Sequence, residues 1–279
     1  MKKRIIGLLM AFTLANSLIL AGCGSTSTGS TDSSTDSNAV ETADHLQRIK
    51  DDGKIIFAME GQWAPWTYHD ESGELVGFDT EVGKAIAEKL GVEAEFVEGE
   101  WDGLFTGLDA GKFDAVINGV EITEERTEKY DFTTPYAYIR TGLCVSEDNE
   151  DIKSFEDLNG KLTSNSLGST YADMAEEYGA TVQNVDTLAE TIDMVTSGRV
   201  DATLNAEVSF YDYLSEKPDA PIKIVALTEE ASQVSIPLVK GEDNDSLREA
   251  IDAAIEELRA DGTLSELSNK YFGSDITAE

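Results

Sequence analysis

The chain is poor in the residues that metal, redox and nucleic-acid chemistry require. Its 279 residues contain two cysteines, Cys23 and Cys144, and two histidines, His45 and His69. The histidines are far apart and neither lies in a ligand-spaced motif, so no metal site is expected. No glycine-rich loop of the kind that cradles a phosphate is present, so any use of ATP falls to a separate subunit and no cofactor is expected. Basic residues are few: 21 Lys and Arg stand against 55 Asp and Glu, a formal charge of −34. Phosphate contacts need a basic face, which excludes nucleic acid as a partner. Most of the acidity reads as a solvated surface. After the first 23 residues no apolar run is long enough to span a bilayer.

The start of the chain differs from the rest. "MKKR" is a positive n-region, "IIGLLMAFTLANSLIL" is apolar, and "LAGC" (20–23) closes the stretch with small residues before Cys23. This is the pattern of a removed signal peptide over 1–22. "LAGC" resembles a bacterial lipobox, which implies that Cys23 becomes the lipidated first residue of the mature chain. Loss of Lys2, Lys3 and Arg4 with the signal moves the formal charge to −37. Residues 24–43, "GSTSTGSTDSSTDSNAVETA", cannot bury enough apolar area to offset their ordering entropy, so 23–43 is expected to be a lipidated, flexible tether. The expected location is extracytoplasmic, with the body held on the outer face of the cell membrane. Cys144 is then left without a disulfide partner, and its apolar run predicts a buried small hydrophobe.

The body, 44–279, is long enough for one large domain or two ordinary ones. It alternates β-like runs with helical periodicity. "KIIFAM" (54–59) predicts a strand. "DTEVGKAIAEKLG" (79–91) puts Val82, Ile86 and Leu90 on one helical face, with Gly91 placed to cap the C-terminus. A strand over 93–99, a helix ending at Gly111 and a strand over 113–119 follow. The second half repeats the pattern: "GKFDAVING" (111–119) overlays "GRVDATLNA" (198–206), each strand ending in Asn, at Asn118 and Asn205. Two α/β units on one chain predict two lobes.

In such sheets ligands gather beyond the carboxyl ends of the strands. Those ends carry Glu60–Trp66, Glu98–Trp101, Asn118–Glu121, Leu167–Thr170 and Asn205–Glu207, and all three tryptophans, Trp63, Trp66 and Trp101, fall within them. "NGVEITEER" (118–126) adds a further feature. Thr123 is placed to cap a helix, Glu124 and Glu125 suit its first turn, and Arg126 in the same turn is opposed by the helix dipole.

"GELVGFDTEVGKAIAEKLGV" (73–92), "WDGLFTGLDAGKFDAVINGVEITEERTEKYDFTTPYAY" (101–138) and "LREAIDAAIEELRADGTLSELSNKYFG" (247–273) resemble family 3 of the bacterial extracellular solute-binding proteins, the polar-amino-acid receptors of ABC importers. The resemblance covers essentially all of 48–273. Within the family, "MEGQWAPWTYHDESGELVGFD" and "FVEGEWDGLFTGL" are most similar to cystine-type receptors. The resemblance implies an α/β, two-lobe type II periplasmic-binding-protein fold with two hinge strands. Lobe 1 is then 44–139 plus 234–279 and lobe 2 is 140–233, with the hinge through 138–145 and back near 231–239. The C-terminal helix, with Leu247, Ile251, Ile255 and Leu258 on one face, is expected to pack on lobe 1. The implied partners are an amino acid and the permease subunits of an ABC importer, with the receptor a monomer.

The resemblance also implies roles. Arg126, in the family's "T-x-x-R" stretch, clamps the ligand's α-carboxylate, a pairing that suits a guanidinium fork. In "LGST" (167–170), Ser169 and Thr170 add hydroxyl and backbone donors at a helix N-terminus to the same carboxylate, and Gly168 beside them is a further ligand-binding position. Trp63 and Trp101 hold the ligand's side chain, the Gly119 carbonyl binds its ammonium, and Trp66 packs behind the pocket as core. Two positions depart from the family pattern. Glu121 stands where Ser or Thr is common, and Ala206 stands where an Asp holds the α-ammonium. Either Glu121 or neighbouring Glu207 replaces that Asp, or the ligand is not an ordinary α-amino acid. Glu60 leaves room for a second cationic group, since several acids in one cleft argue for a cation within it. A rival class is an enzyme: the fold resembles cyclohexadienyl dehydratases, and a buried Glu121 would then act as general acid. A sensing subunit would have identical lobes.

Overall fold

The computed structural model describes residues 44–278; the expected signal peptide, Cys23 and the tether lie outside them. Among these residues no helix is long and apolar enough to cross a membrane.

Two sheets organise the molecule. In the first, Lys54–Met59 runs between Glu93–Glu98 and Ala115–Val116, parallel to both. Ile55, Phe57, Ala58 and Met59 are fully buried, as a central strand covered on both faces requires. The strand expected over 113–119 is regular only at Ala115–Val116. The N–H groups of Asp114 and Ile117 extend its ladder to the carbonyls of Ile56 and Ala58, at 2.8 and 2.9 Å. The chain leaves the sheet at Gly119, whose φ of +57° bends the backbone outward. Phe78–Leu90 packs its Val82–Ile86 face inward and ends at Gly91, where φ is +76° and the N–H reaches the carbonyls of Ala87 and Glu88.

The second sheet has the order Thr181–Asn184, Leu162–Asn165, Ala202–Ala206, Thr141–Ser146, Ile222–Leu227. Its first three strands are parallel, and the strand that comes first in sequence lies between the other two, as in the first sheet. The sequence repeat is therefore structural. Trp101–Asp109 corresponds to Leu188–Thr196, and the left-handed glycines Gly111 and Gly198 correspond as well. The last two strands are antiparallel additions. Cys144 is fully buried in one of them, and burial pushes its thiol up to about 12, which fits a small hydrophobe and not a nucleophile.

The chain crosses between the sheets twice, and Ala137–Ile139 pairs antiparallel with Ser232–Val234 at the crossing. This is a two-lobe type II periplasmic-binding fold with two hinge strands. The Asp245–Ala260 helix buries Leu247, Ile251, Ile255 and Leu258 and packs against Phe78–Leu90, on the side of the first sheet. A stripe of that spacing has little alternative but to face a core.

Candidate functional site

The carboxyl ends of both sheets point into one cleft, and the loops beyond them enclose a cavity of about 510 Å³, part of it open to solvent. From the first lobe it is lined by Glu60, Trp63, Trp101, Asn118, Gly119, Glu121 and Arg126. From the second come Ser166, Ser169, Thr170, Tyr171, Asp186 and Asn205.

Arg126 sits in the short Glu124–Lys129 helix, whose first turn is fixed by Thr123: its hydroxyl accepts the Arg126 N–H at 3.2 Å. The guanidinium donates from Nη1 to the Glu121 carbonyl at 3.0 Å and from Nη2 across the cleft to the Gly168 carbonyl at 3.2 Å. It lies over the rings of Trp101 and Phe105, 5.2 and 5.7 Å from their centroids. Both rings offer a negative π-face to the cation. Among the described residues Arg126 forms no ion pair. Burial pulls its pKa down, and the nearby carboxylates of Glu121 and Asp173 oppose that shift.

Three carboxylates share the cavity with this one cation. Glu121 is 5% exposed and accepts from the Thr170 hydroxyl at 2.6 Å, a bond that joins the lobes. Glu60 is tied to Asn118, which accepts the Glu60 N–H through Oδ1 at 2.8 Å and donates from Nδ2 to Glu60 Oε2 at 2.7 Å. Burial pushes the Glu60 carboxyl up to about 7, the Asn118 bond pulling the other way and Asp186 adding like charge. Asp186 stands just beyond the Thr181–Asn184 strand. The hydroxyl of Tyr171 is buried beside the charges of Glu121 and Arg126, and its burial raises the phenol well above its ordinary value.

The tryptophans occupy two kinds of place. Trp63 lines the cavity, and its indole N–H donates across the cleft to Asn205 Oδ1 at 3.2 Å. Trp66 is fully buried behind it, stacked at 5.3 Å, and donates to Ser209 Oγ at 3.2 Å. Ser169 caps the Thr170–Glu177 helix, its hydroxyl accepting the Ala172 N–H at 3.1 Å.

Ten of the twelve residues expected at the site line the cavity. Gly168 is not among the lining residues; its carbonyl accepts from Arg126 Nη2. Glu207 is a correction: its carboxylate faces away from the cavity and receives a two-point bond from Arg140 at 3.0 and 2.7 Å. A guanidinium fork from the crossing segment already matches that charge, so Glu207 is not a cavity acid. Sequence inspection missed Gln62, Ser166, Tyr171, Asp186, Thr187 and Leu188. The strand-end rule applied to Thr181–Asn184 would have found Asp186.

The family profile of the bacterial extracellular solute-binding proteins, family 3, matches residues 55–274. The chain belongs to that family. A probable amino-acid ABC transporter-binding protein of Haemophilus influenzae is 38% identical over 90% of this chain and 95% of its own. An ancestral arginine-binding protein bound to arginine superposes with a TM-score of 0.74 at 39% identity, over 79% of this chain and 99% of its own. The L-cystine receptor of Neisseria gonorrhoeae, unliganded and open, is 41% identical over 84% of this chain and 99% of its own, yet its TM-score is 0.58. Higher identity with a poorer superposition points to a difference in lobe arrangement. Four hydrogen bonds across the cleft, from Thr170, Arg126, Trp63 and Trp66, mark the present arrangement as closed. This extracellular solute-binding protein thus carries a closed cleft with one guanidinium facing three carboxylates.

Proposed function

We propose that the protein captures an amino acid as its zwitterion between the two lobes and delivers it to the permease subunits of an ABC importer. The observation that carries this is Arg126. A partly buried guanidinium held by two carbonyl oxygens has donors to spare and, among the described residues, no carboxylate paired with it, so a ligand carboxylate completes the site. The aromatic faces beneath it fix the fork's plane.

Glu121 takes the α-ammonium. It is buried beside Arg126, the family's usual acid is replaced by Ala206, and Glu207 is occupied by Arg140. Glu60 and Asp186 then receive a second cationic group, as in a dibasic amino acid or the far ammonium of cystine. The likeness to an arginine-bound protein and to a cystine receptor supports both ligand classes. In this scheme Trp63 and Trp101 hold the side chain, Gly119 presents its backbone, and Ser169 and Thr170 close on the carboxylate from lobe 2.

The lobes, 44–139 plus 234–279 and 140–233, close about the crossing strands, and the ligand shifts the population toward the closed form by contacting both. The monomer is held at the membrane by a lipid on Cys23 and a tether over 23–43. A thermal-shift screen over the twenty amino acids, ornithine and cystine tests this, because a bound ligand raises the melting temperature by mass action. At least one should raise it in proportion to the logarithm of its concentration. No shift across the panel refutes amino-acid binding, and an aromatised product from prephenate or arogenate refutes a pure receptor.

A further inference from the structure

Behind the cavity wall lies a buried carboxylate that does not itself line the cavity. Asp79 is fully buried in the first turn of Phe78–Leu90. Its Oδ2 accepts the Gly119 N–H at 2.5 Å and its Oδ1 accepts the Tyr136 hydroxyl at 2.8 Å. Tyr136 is also fully buried and immediately precedes the crossing strand Ala137–Ile139. One carboxylate therefore ties together a helix N-terminus, the cavity wall and the root of the hinge.

The wall it holds has no slack. Gly119 is left-handed, and a Cβ there would lie 2.6 Å from the Trp63 ring and 3.4 Å from Trp66. Its neighbour Asn118 grips both the backbone and the carboxylate of Glu60. A continuous row thus runs from the hinge to the acidic end of the cavity: Tyr136, Asp79, Gly119, Asn118, Glu60. The second place in it is a carboxylate that accepts from both neighbours; burial raises its carboxyl to about 7, and the two hydrogen bonds pull the other way. The Gly119 N–H can only donate and the Tyr136 hydroxyl donates here, so an amide that keeps its oxygen on Gly119 turns its NH2 toward that hydroxyl and leaves the phenolic O–H without its acceptor. A buried charge is costly, and the helix N-terminus together with two donors stabilises it here.

We propose that Asp79 is a positioning residue for ligand binding, holding the Gly119 wall in the orientation that the ligand meets and linking it to the hinge through Tyr136. This rests on the amino-acid reading of the cavity and deepens it.

The test is calorimetric titration of the full mature chain with the tightest binder among the twenty amino acids, ornithine and cystine. Asp79→Asn should weaken binding by about tenfold or more, the consequence of one mismatched buried donor. Adding Tyr136→Phe removes the stranded donor, frees the amide oxygen for the Gly119 N–H, and should restore affinity to within about threefold of Tyr136→Phe alone. Mere loss of packing predicts the reverse, since the second substitution deletes another buried polar group. A folded Asp79→Asn protein with unchanged affinity overturns the proposal, as does a double variant no better than the single one. If Asp79→Asn does not fold, the double variant decides: parity with Tyr136→Phe supports the role, and a further tenfold loss overturns it. An unmodified protein that binds none of the panel removes the amino-acid reading itself, and the proposal with it.

Discussion

At Arg126 the guanidinium fork presents five N–H donors, of which two are spent on carbonyl oxygens. Arg126→Ala removes the fork and leaves Glu60, Glu121 and Asp186 as uncompensated like charges. Loss of one member of a desolvated charge pair costs about 2–5 kcal/mol, so the dissociation constant should rise by at least about thirtyfold. Calorimetry with the identified amino acid measures it, and tight binding by this variant refutes the clamp. Glu60 makes a prediction in pH. Burial raises its carboxyl from the ordinary 4.5 to about 7 in the folded protein. The folded state therefore takes up the proton first as pH falls. The cost of burying the charge is full above about 7 and fades as pH drops toward 4.5, so this residue makes the unliganded protein more stable at pH ~5.5 than at pH ~8. Asp79, raised to about 7 by its own burial, acts with the same sign. Melting temperatures of wild type and Glu60→Gln at the two pH values isolate the Glu60 share, and the variant should show the smaller rise on acidification. Binding of a ligand whose cation reaches Glu60 runs the other way, strengthening as pH rises through about 7. Parallel profiles for wild type and variant would assign the titration elsewhere.

Among the elements, the Thr141–Ser146 strand separates structure from binding. It is bonded on both sides, by Ala202–Ala206 and Ile222–Leu227, and Cys144 fills the sheet's far face against Ile192 and Phe210. Cys144→Ser buries a hydroxyl in that apolar cluster and should cost about 1–3 kcal/mol of stability while leaving ligand affinity unchanged. Chemical denaturation and calorimetry check the two halves separately; a parallel loss of affinity would place Cys144 in the binding pathway. The elements themselves were legible because their signals are local. Val82 and Ile86 at helical spacing, Gly91 and Gly111 as stops, and the repeat of strand, helix, glycine and strand need only neighbouring residues to specify them. The orientation of Glu207 was not legible, because it depends on Arg140, which lies 67 residues away in sequence. The same applies to Asp186 and Tyr171, whose place in the cavity follows from how the second lobe meets the first. Arg126 stood out for the opposite reason: a positive charge in a first helical turn conflicts with the local dipole, and local conflict marks a residue kept for another purpose.

For the whole molecule, the quantity that matters is the free-energy difference between open and closed lobes. The bond from Trp66 Nε1 to Ser209 Oγ spans the cleft, joining the first lobe's buried indole to the Glu207–Glu216 helix of the second. Neither residue lines the cavity. As a bond of the closed form, it contributes to ligand affinity without touching the ligand, because the apparent dissociation constant scales inversely with the closed population. A buried neutral hydrogen bond is worth about 1 kcal/mol net, so Ser209→Ala should weaken binding by about fivefold for every ligand alike. Arg126→Ala, by contrast, should discriminate ligands by their carboxylate. Small-angle scattering supplies the independent readout: the unliganded variant should have the larger radius of gyration, and saturating ligand should bring variant and wild type to the same value. Equal affinities for variant and wild type, with equal scattering before ligand is added, would show that the Trp66–Ser209 bond persists in the open form and belongs to the hinge instead of the closure.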